Sequence, residues 1–450
     1  MSRRLTRDPF LIFSPFLFIY SWFIVAHKWP KLYGDEIRYV DFAHNLIHGF
    51  YSPAAPHINL WNGPGFPLVI WPFIALHVPV LYITLLNALY QYLAVVLLYK
   101  STKLVANHTI ALMAGLLFAI YPNAFSVLPI LYTEALTVFL ISAFVYSVTL
   151  FYTKRKNKHF VIAGLLLGFL TLVKIIFGYV LILGLIVSVL AVLLQRSKTN
   201  VLKSTYMFLL ALGVTLPYLA YTYRLTGKPF YWGNSGGMSL YWMSTPYEHE
   251  YGDWKVPQLT NHQYPILFKS AETVAMLKKN HSKEIQFILK HNEIEQDALF
   301  KQYAIRNIRQ HPFKFIKNYY YNASRMLFNF PYSYSYQDGA IVTNIISGSL
   351  ILFSAILGLI ATWVNRRSLI FPVKLLLLIS GIYLGLSGAL SAYPRQFDVM
   401  MPALLFWLSF LASRIPNPTF RFDEEGDNID DISLQDLSGT GIDIGNTVKD

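Results

Sequence analysis

The chain has 450 residues, of which 54% are hydrophobic and only 14% charged, and its mean hydropathy is +0.41. A soluble domain carries about a quarter charged residues, so this composition excludes an ordinary soluble protein and indicates a membrane protein. The net charge of +13 does not call for nucleic acid, because the positive residues sit in short loops between apolar segments and so report topology. The absence of cysteine excludes disulfides and thiolate metal sites.

Met1 to Arg7 is basic and Phe10 to Trp29 apolar, with no small-x-small cleavage pattern at Val25-Ala26-His27-Lys28. This predicts an uncleaved first span with a cytoplasmic N-terminus. Residues 30–65 then form an external loop containing Tyr33-Gly34-Asp35-Glu36-Ile37-Arg38-Tyr39, a cluster of charge beside the bilayer. Phe66 to His77 is apolar but shorter than the ~20 residues that a crossing helix needs. With Pro67 and Pro72 inside it, the stretch reads as an interfacial or partial helix. Spans are expected at Val80–Tyr99, Asn107–Ile120 and Leu131–Tyr152, the last ending at the basic run Lys154-Arg155-Lys156-Asn157-Lys158. Phe160 to Leu194 reads as two short helices turning at Lys174, and Tyr206–Tyr223 crosses again after the basic loop Gln195–Lys203.

Residues 224–340 form a large external segment. It opens with the turn-rich Tyr231-Trp232-Gly233-Asn234-Ser235-Gly236-Gly237-Met238 and continues as one charged helical pattern from Lys283 to Gln310. Phe313 to Phe330 then reads as an amphipathic helix lying on the membrane. Ile341–Val364, Leu369–Leu390 and Met400–Leu411 complete an all-α polytopic fold of about ten spans with both termini cytoplasmic. The acidic stretch Asp423–Asp450 is expected to be disordered.

This topology brings four ionisable positions to one membrane face: Asp35 with Glu36, Glu134, Lys174 and Arg395. Charge near hydrocarbon is costly unless it is paired or functional. A carboxylate can take a proton from an acceptor hydroxyl, and cations can neutralise a departing phosphate. Asp35, Glu36 and Glu134 are therefore the candidate catalytic residues, and Lys174, Arg395 and Arg38 the candidate phosphate-binding ones. His44, His48 and His57 share the first loop, but their spacing matches no standard zinc set. Glu134 and His57 are the positions a divalent metal would use, were one required.

Asp35-Glu36-x-Arg38-Tyr39, followed by Asn62-Gly63-Pro64-Gly65-Phe66-Pro67-Leu68, resembles the first external loop of the GT-C membrane glycosyltransferases. It is most similar to proteins akin to glycosyltransferase family 39, the protein mannosyltransferases, and to the aminoarabinose lipid A transferases. The resemblance implies a GT-C-like fold and a polyprenyl-phosphate sugar donor. It also implies a catalytic aspartate at Asp35, with Tyr39, Asn62, Pro64 and Asn234 in substrate loops. Glu134 resembles the acidic residue of the second external loop, and Lys174 and Arg395 resemble basic positions near the lipid phosphate. Arg395-Gln396-Phe397 departs from the Arg-Tyr pair often found there.

The reading that follows is a transferase of the cell inner membrane. It would move a sugar from a polyprenyl-phosphate donor to a lipid, glycan or protein acceptor at the periplasmic face. A transporter or lipid flippase, or a GT-C-type glycan ligase, is the alternative.

Overall fold

The computed structural model describes residues 8–194, 199–257, 271–334 and 341–414. Residues 1–414 form one compact unit. Residues 1–7, residues 195–198 of the loop Gln195–Lys203 and the acidic stretch Asp423–Asp450 fall outside the described residues.

The fold is all-helical, with no strand among the described residues. Among the described residues six helices are long and apolar enough to cross a membrane: Val80–Lys103, Glu134–Lys154, Ile176–Leu194, Val201–Thr226, Ile341–Val364 and Phe371–Gly388. Five shorter apolar helices accompany them. Ser14–His27, His108–Ala119, Asn157–Val173 and Met401–Ala412 occupy positions where spans were expected, and Gly65–Ala75 lies where an interfacial helix was expected. Glu134–Lys154 is the most enclosed of the six long helices, packed between Leu86–Lys103 and Asn157–Val173. Its first residue is therefore fixed in the middle of the bundle's end.

Lys174 breaks what would otherwise be one long apolar helix. Its backbone is extended (φ −126°, ψ 103°), so Asn157–Val173 ends there and Ile176–Leu194 begins two residues later. The first loop docks on this break. A side chain on Gly63 would place its Cβ 2.1 Å from the Leu172 carbonyl oxygen, and one on Gly65 would meet the Val173 backbone nitrogen at 2.6 Å. The Asn62-Gly63-Pro64-Gly65 motif is thus a backbone-to-backbone contact that needs the missing Cβ atoms.

The first loop is largely ordered by a helix, Asp35–Ile47. Gly34 precedes it at φ +60°, a conformation that favours glycine. The two carboxylates of the opening cluster fall in the first turn, where the helix dipole favours negative charge.

The expected single pattern over Lys283–Gln310 is two helices, Ala271–Ile288 and Glu293–Gln310. Asn292 causes the break, its Oδ1 accepting from the Glu295 backbone N–H at 3.0 Å, an N-cap that starts a new helix. These helices and Gly236–Met243 enclose a second core around Tyr241, Trp242, Leu277, Ile285 and Phe300.

Pro312–Phe328 is amphipathic with its polar side inward. Asn318, Asn322 and Arg325 are fully buried, whereas Phe313, Ile316 and Tyr320 are exposed. Arg325 donates to the carbonyls of Ala392 (2.9 Å), Tyr251 (3.2 Å) and Pro331 (2.5 Å). It thereby ties the large segment to the loop that carries Arg395.

Gly65→Ala should destabilise the detergent-purified protein by on the order of 1–3 kcal/mol. The check is its thermal midpoint; an unchanged midpoint would mean that the loop does not rest on the Leu172–Val173 backbone.

Candidate active site

Asp35, Arg38, Glu134, Lys174 and Arg395 line one cavity of about 380 Å³. Their side chains form a single ionic network. Lys174 Nζ lies 3.0 Å from Glu134 Oε1, and Arg395 Nε lies 3.9 Å from the same oxygen. Arg395 Nη1 donates to Asp35 Oδ2 at 3.2 Å, and Arg38 pairs with the other Asp35 oxygen. The Asp35–Arg395 contact joins residues 360 positions apart in sequence.

Three cations face two carboxylates in this cavity. The walls thus carry a surplus of positive charge, and an anion entering between Lys174 and Arg395 would balance it. Aromatic rings hold the two guanidinium groups. Arg395 lies over Tyr132 and Arg38 over Trp61, each 5.3 Å from the ring centroid.

Asn62 ties Arg38 to Tyr39. Its Oδ1 accepts from Arg38 Nε at 3.3 Å, and its Nδ2 donates to the Tyr39 hydroxyl at 3.1 Å. Burial, followed by the nearby Glu134 charge, raises the Tyr39 phenol above its ordinary pKa, so it stays protonated. Gly63 is also in the cavity wall, and Pro64 caps the start of the Gly65–Ala75 helix.

Besides Pro64, three expected positions lie outside the cavity lining. Glu36 is turned away from the cavity: its carboxylate pairs with Lys28 and accepts from the backbone N–H groups of Tyr33 (3.1 Å) and Leu131 (2.8 Å). That geometry fastens the first loop to the segment before Glu134. Asn234 lines a second cavity next to the first. His57 is exposed and does not line the cavity. Among the described residues no group of three or more His, Asp or Glu side chains could hold a metal ion.

Other residues of the site escaped the sequence reading. Tyr383 and Tyr393 line the cavity, but neither stands out in a chain so rich in tyrosine. Asp398 lies just behind it, in the wall of a small void shared with Glu134 and Arg395. It accepts from the Tyr121 hydroxyl and from Asn123 Nδ2 at 3.0 Å. Burial pushes its carboxyl pKa up to about 6. A charge three residues after Arg395 and at the edge of an apolar helix was a usable signal.

The Asp398 shift has a consequence for stability. Its carboxyl is protonated in the fold over a range where the unfolded chain has already released that proton. Stability therefore falls as pH rises from about 4 to about 6 and is flat above, by on the order of 3 kcal/mol. Asp398→Asn should remove this decline, which thermal melts of both proteins across that pH range will check.

Residues 62–221 match the family described as dolichyl-phosphate-mannose-protein mannosyltransferase. No curated protein matches the chain by sequence. Among solved structures it is similar to the archaeal oligosaccharyltransferase AglB from Archaeoglobus fulgidus, solved with an inhibitory peptide and a dolichol-phosphate. That match has 15% identity, 89% of this chain and 50% of that one covered, and a TM-score of 0.44. It is also similar to the Archaeoglobus fulgidus oligosaccharyltransferase tethered to an acceptor peptide, at 16% identity, 89% and 49% coverage, and a TM-score of 0.46. The chain spans about half the length of these proteins.

Proposed function

The chain resembles the GT-C membrane glycosyltransferases, and from that premise we propose that it transfers a sugar from a polyprenyl-phosphate carrier to an acceptor hydroxyl. The observation that carries this reading is the cavity in which Asp35 and a surplus of cations meet. Asp35 takes the proton from the acceptor hydroxyl as its oxygen bonds to the anomeric carbon. The carbon–oxygen bond to the phosphate breaks, and the electron pair leaves with the phosphate. Lys174 and Arg395 compensate the charge that gathers on the leaving group. Glu134 holds Lys174 in place, and Arg38 and Tyr39, linked through Asn62, hold the base side of the cavity.

Attack by the acceptor from the face opposite the phosphate inverts the anomeric centre. The loops opposite the cavity carry the basic clusters Lys154–Lys158 and Asn365–Arg367. By the positive-inside rule the cavity then faces the periplasm or exterior, and the chain sits in the inner membrane. A transporter or flippase would need ionisable groups along a path through the bundle, whereas these converge at helix ends.

Asp35→Asn should keep the wild-type melting temperature and the binding of polyprenyl phosphate while lowering transfer by roughly 10²-fold or more. Transfer from a panel of polyprenyl-phosphate sugars by purified protein measures this; equal rates would remove Asp35 from the mechanism. Glu36→Ala should behave differently, because it leaves Lys28 buried without its partner. It should destabilise the fold by about 3–5 kcal/mol, read as a fall in melting temperature. An intact fold with lost transfer would instead give Glu36 a chemical role.

A further inference from the structure

A second cavity, of about 330 Å³, adjoins the first, and Arg38, Trp61 and Trp254 belong to the walls of both. A void of about 300–1,000 Å³ is the size that takes a small molecule. One part of its lining is apolar, with Met238, Val256, Leu289 and Phe300, and another carries Asn59, Asn234, Glu293 and Gln296. Two of these polar groups lack partners. The Asn234 Oδ1 atom is buried with no hydrogen bond, in a side chain only 6% exposed. The Glu293 carboxylate makes no ion pair or hydrogen bond among the described residues. Asn59, Glu293 and Gln296, each half-buried, are the side chains that offer acceptors to the cavity.

Its charge narrows the ligand. Glu293 and Asp297 stand in the wall, and among the described lining residues the one cation is Arg38, at the boundary with the first cavity. Anionic headgroups are disfavoured here. What fits is a neutral molecule with several hydroxyl donors and one apolar face, which describes a pyranose. Ring C–H groups would lie on the indoles of Trp61 and Trp254, while hydroxyls would donate to the Glu293 carboxylate and the Gln296 amide oxygen.

We infer that this second cavity is the acceptor subsite and that it takes a neutral glycosyl unit, so that the enzyme adds its sugar to an existing glycan. The inference rests on the transferase reading for its biological sense, but sugar binding is measurable without it. A hydroxyl of a unit seated between the two tryptophans faces the shared wall, beyond which Arg38 holds Asp35.

Saturation-transfer NMR on the full chain in detergent, with methyl α-mannoside and methyl β-galactoside as probes, tests it. Wild type should transfer saturation to at least one of the two. Leu289→Trp, which fills the cavity, and Glu293→Ala, which removes the unpaired carboxylate, should each weaken that binding roughly tenfold. Lys174→Ala should bind the same glycoside as wild type does while losing affinity for polyprenyl phosphate. No signal with either glycoside, or a signal that survives Leu289→Trp and Glu293→Ala, would overturn the inference. A signal abolished by Lys174→Ala would place the sugar in the first cavity and overturn it too. Loss of polyprenyl-phosphate binding in wild type, with glycoside binding intact, would count against the donor reading alone.

Discussion

The structure depends on how charge is held at the end of an apolar bundle. Fixed ionic groups beside hydrocarbon must find partners, and here the partners come from four separate loops. Asp35 stands at the start of the first-loop helix, Glu134 at the head of the most enclosed helix, Lys174 at a helix break and Arg395 after the Phe371–Gly388 helix. Their mutual contacts close the bundle at that end. Each neighbouring device serves this closure. Gly63 and Gly65 bring the first loop down to the Lys174 break, Glu36 ties it to Leu131, and Arg325 holds the Arg395 loop through Ala392.

The division between Asp35 and Glu36 shows how position on a helix assigns roles. The two are adjacent, so their side chains leave the helix about 100° apart. One enters the cavity among three cations, and the other is consumed by Lys28 and two backbone donors. An analogous division separates the two cavities. The first gathers positive charge and the second gathers hydrogen-bond acceptors, with Arg38 on the boundary.

Much of this was legible in the sequence. Apolar stretches bounded by basic loops gave an all-α membrane protein, and the extended backbone at Lys174 divides Phe160–Leu194 where the charge suggested. The convergence of Asp35, Glu134, Lys174 and Arg395 on one face followed from counting spans, though which pairs touch did not, since no local pattern links residues hundreds of positions apart. Glu36 could not be told from Asp35 because adjacent carboxylates look alike until the helix fixes their directions. The break before Glu293 was missed although Asn292-x-x-Glu295 is a helix-start signal. Asp398 was passed over because its partners, Tyr121 and Asn123, lie far away in the chain. The second cavity had no signature, being assembled from the first loop and three parts of the large segment.

The 360-residue separation of Asp35 and Arg395 bears on how the protein is made. Synthesis runs from the N-terminus, and domains generally form in that order. Asp35 emerges with Arg38 beside it, and Glu134 waits only 40 residues for Lys174, so neither carboxylate enters the membrane long unaccompanied. Arg325 and Arg395 arrive after most of the spans have been inserted. The late segment therefore acts as a closing clasp: the early helices can assemble as a neutralised scaffold, and the charge surplus that distinguishes the site is added only when the last loop folds back onto it.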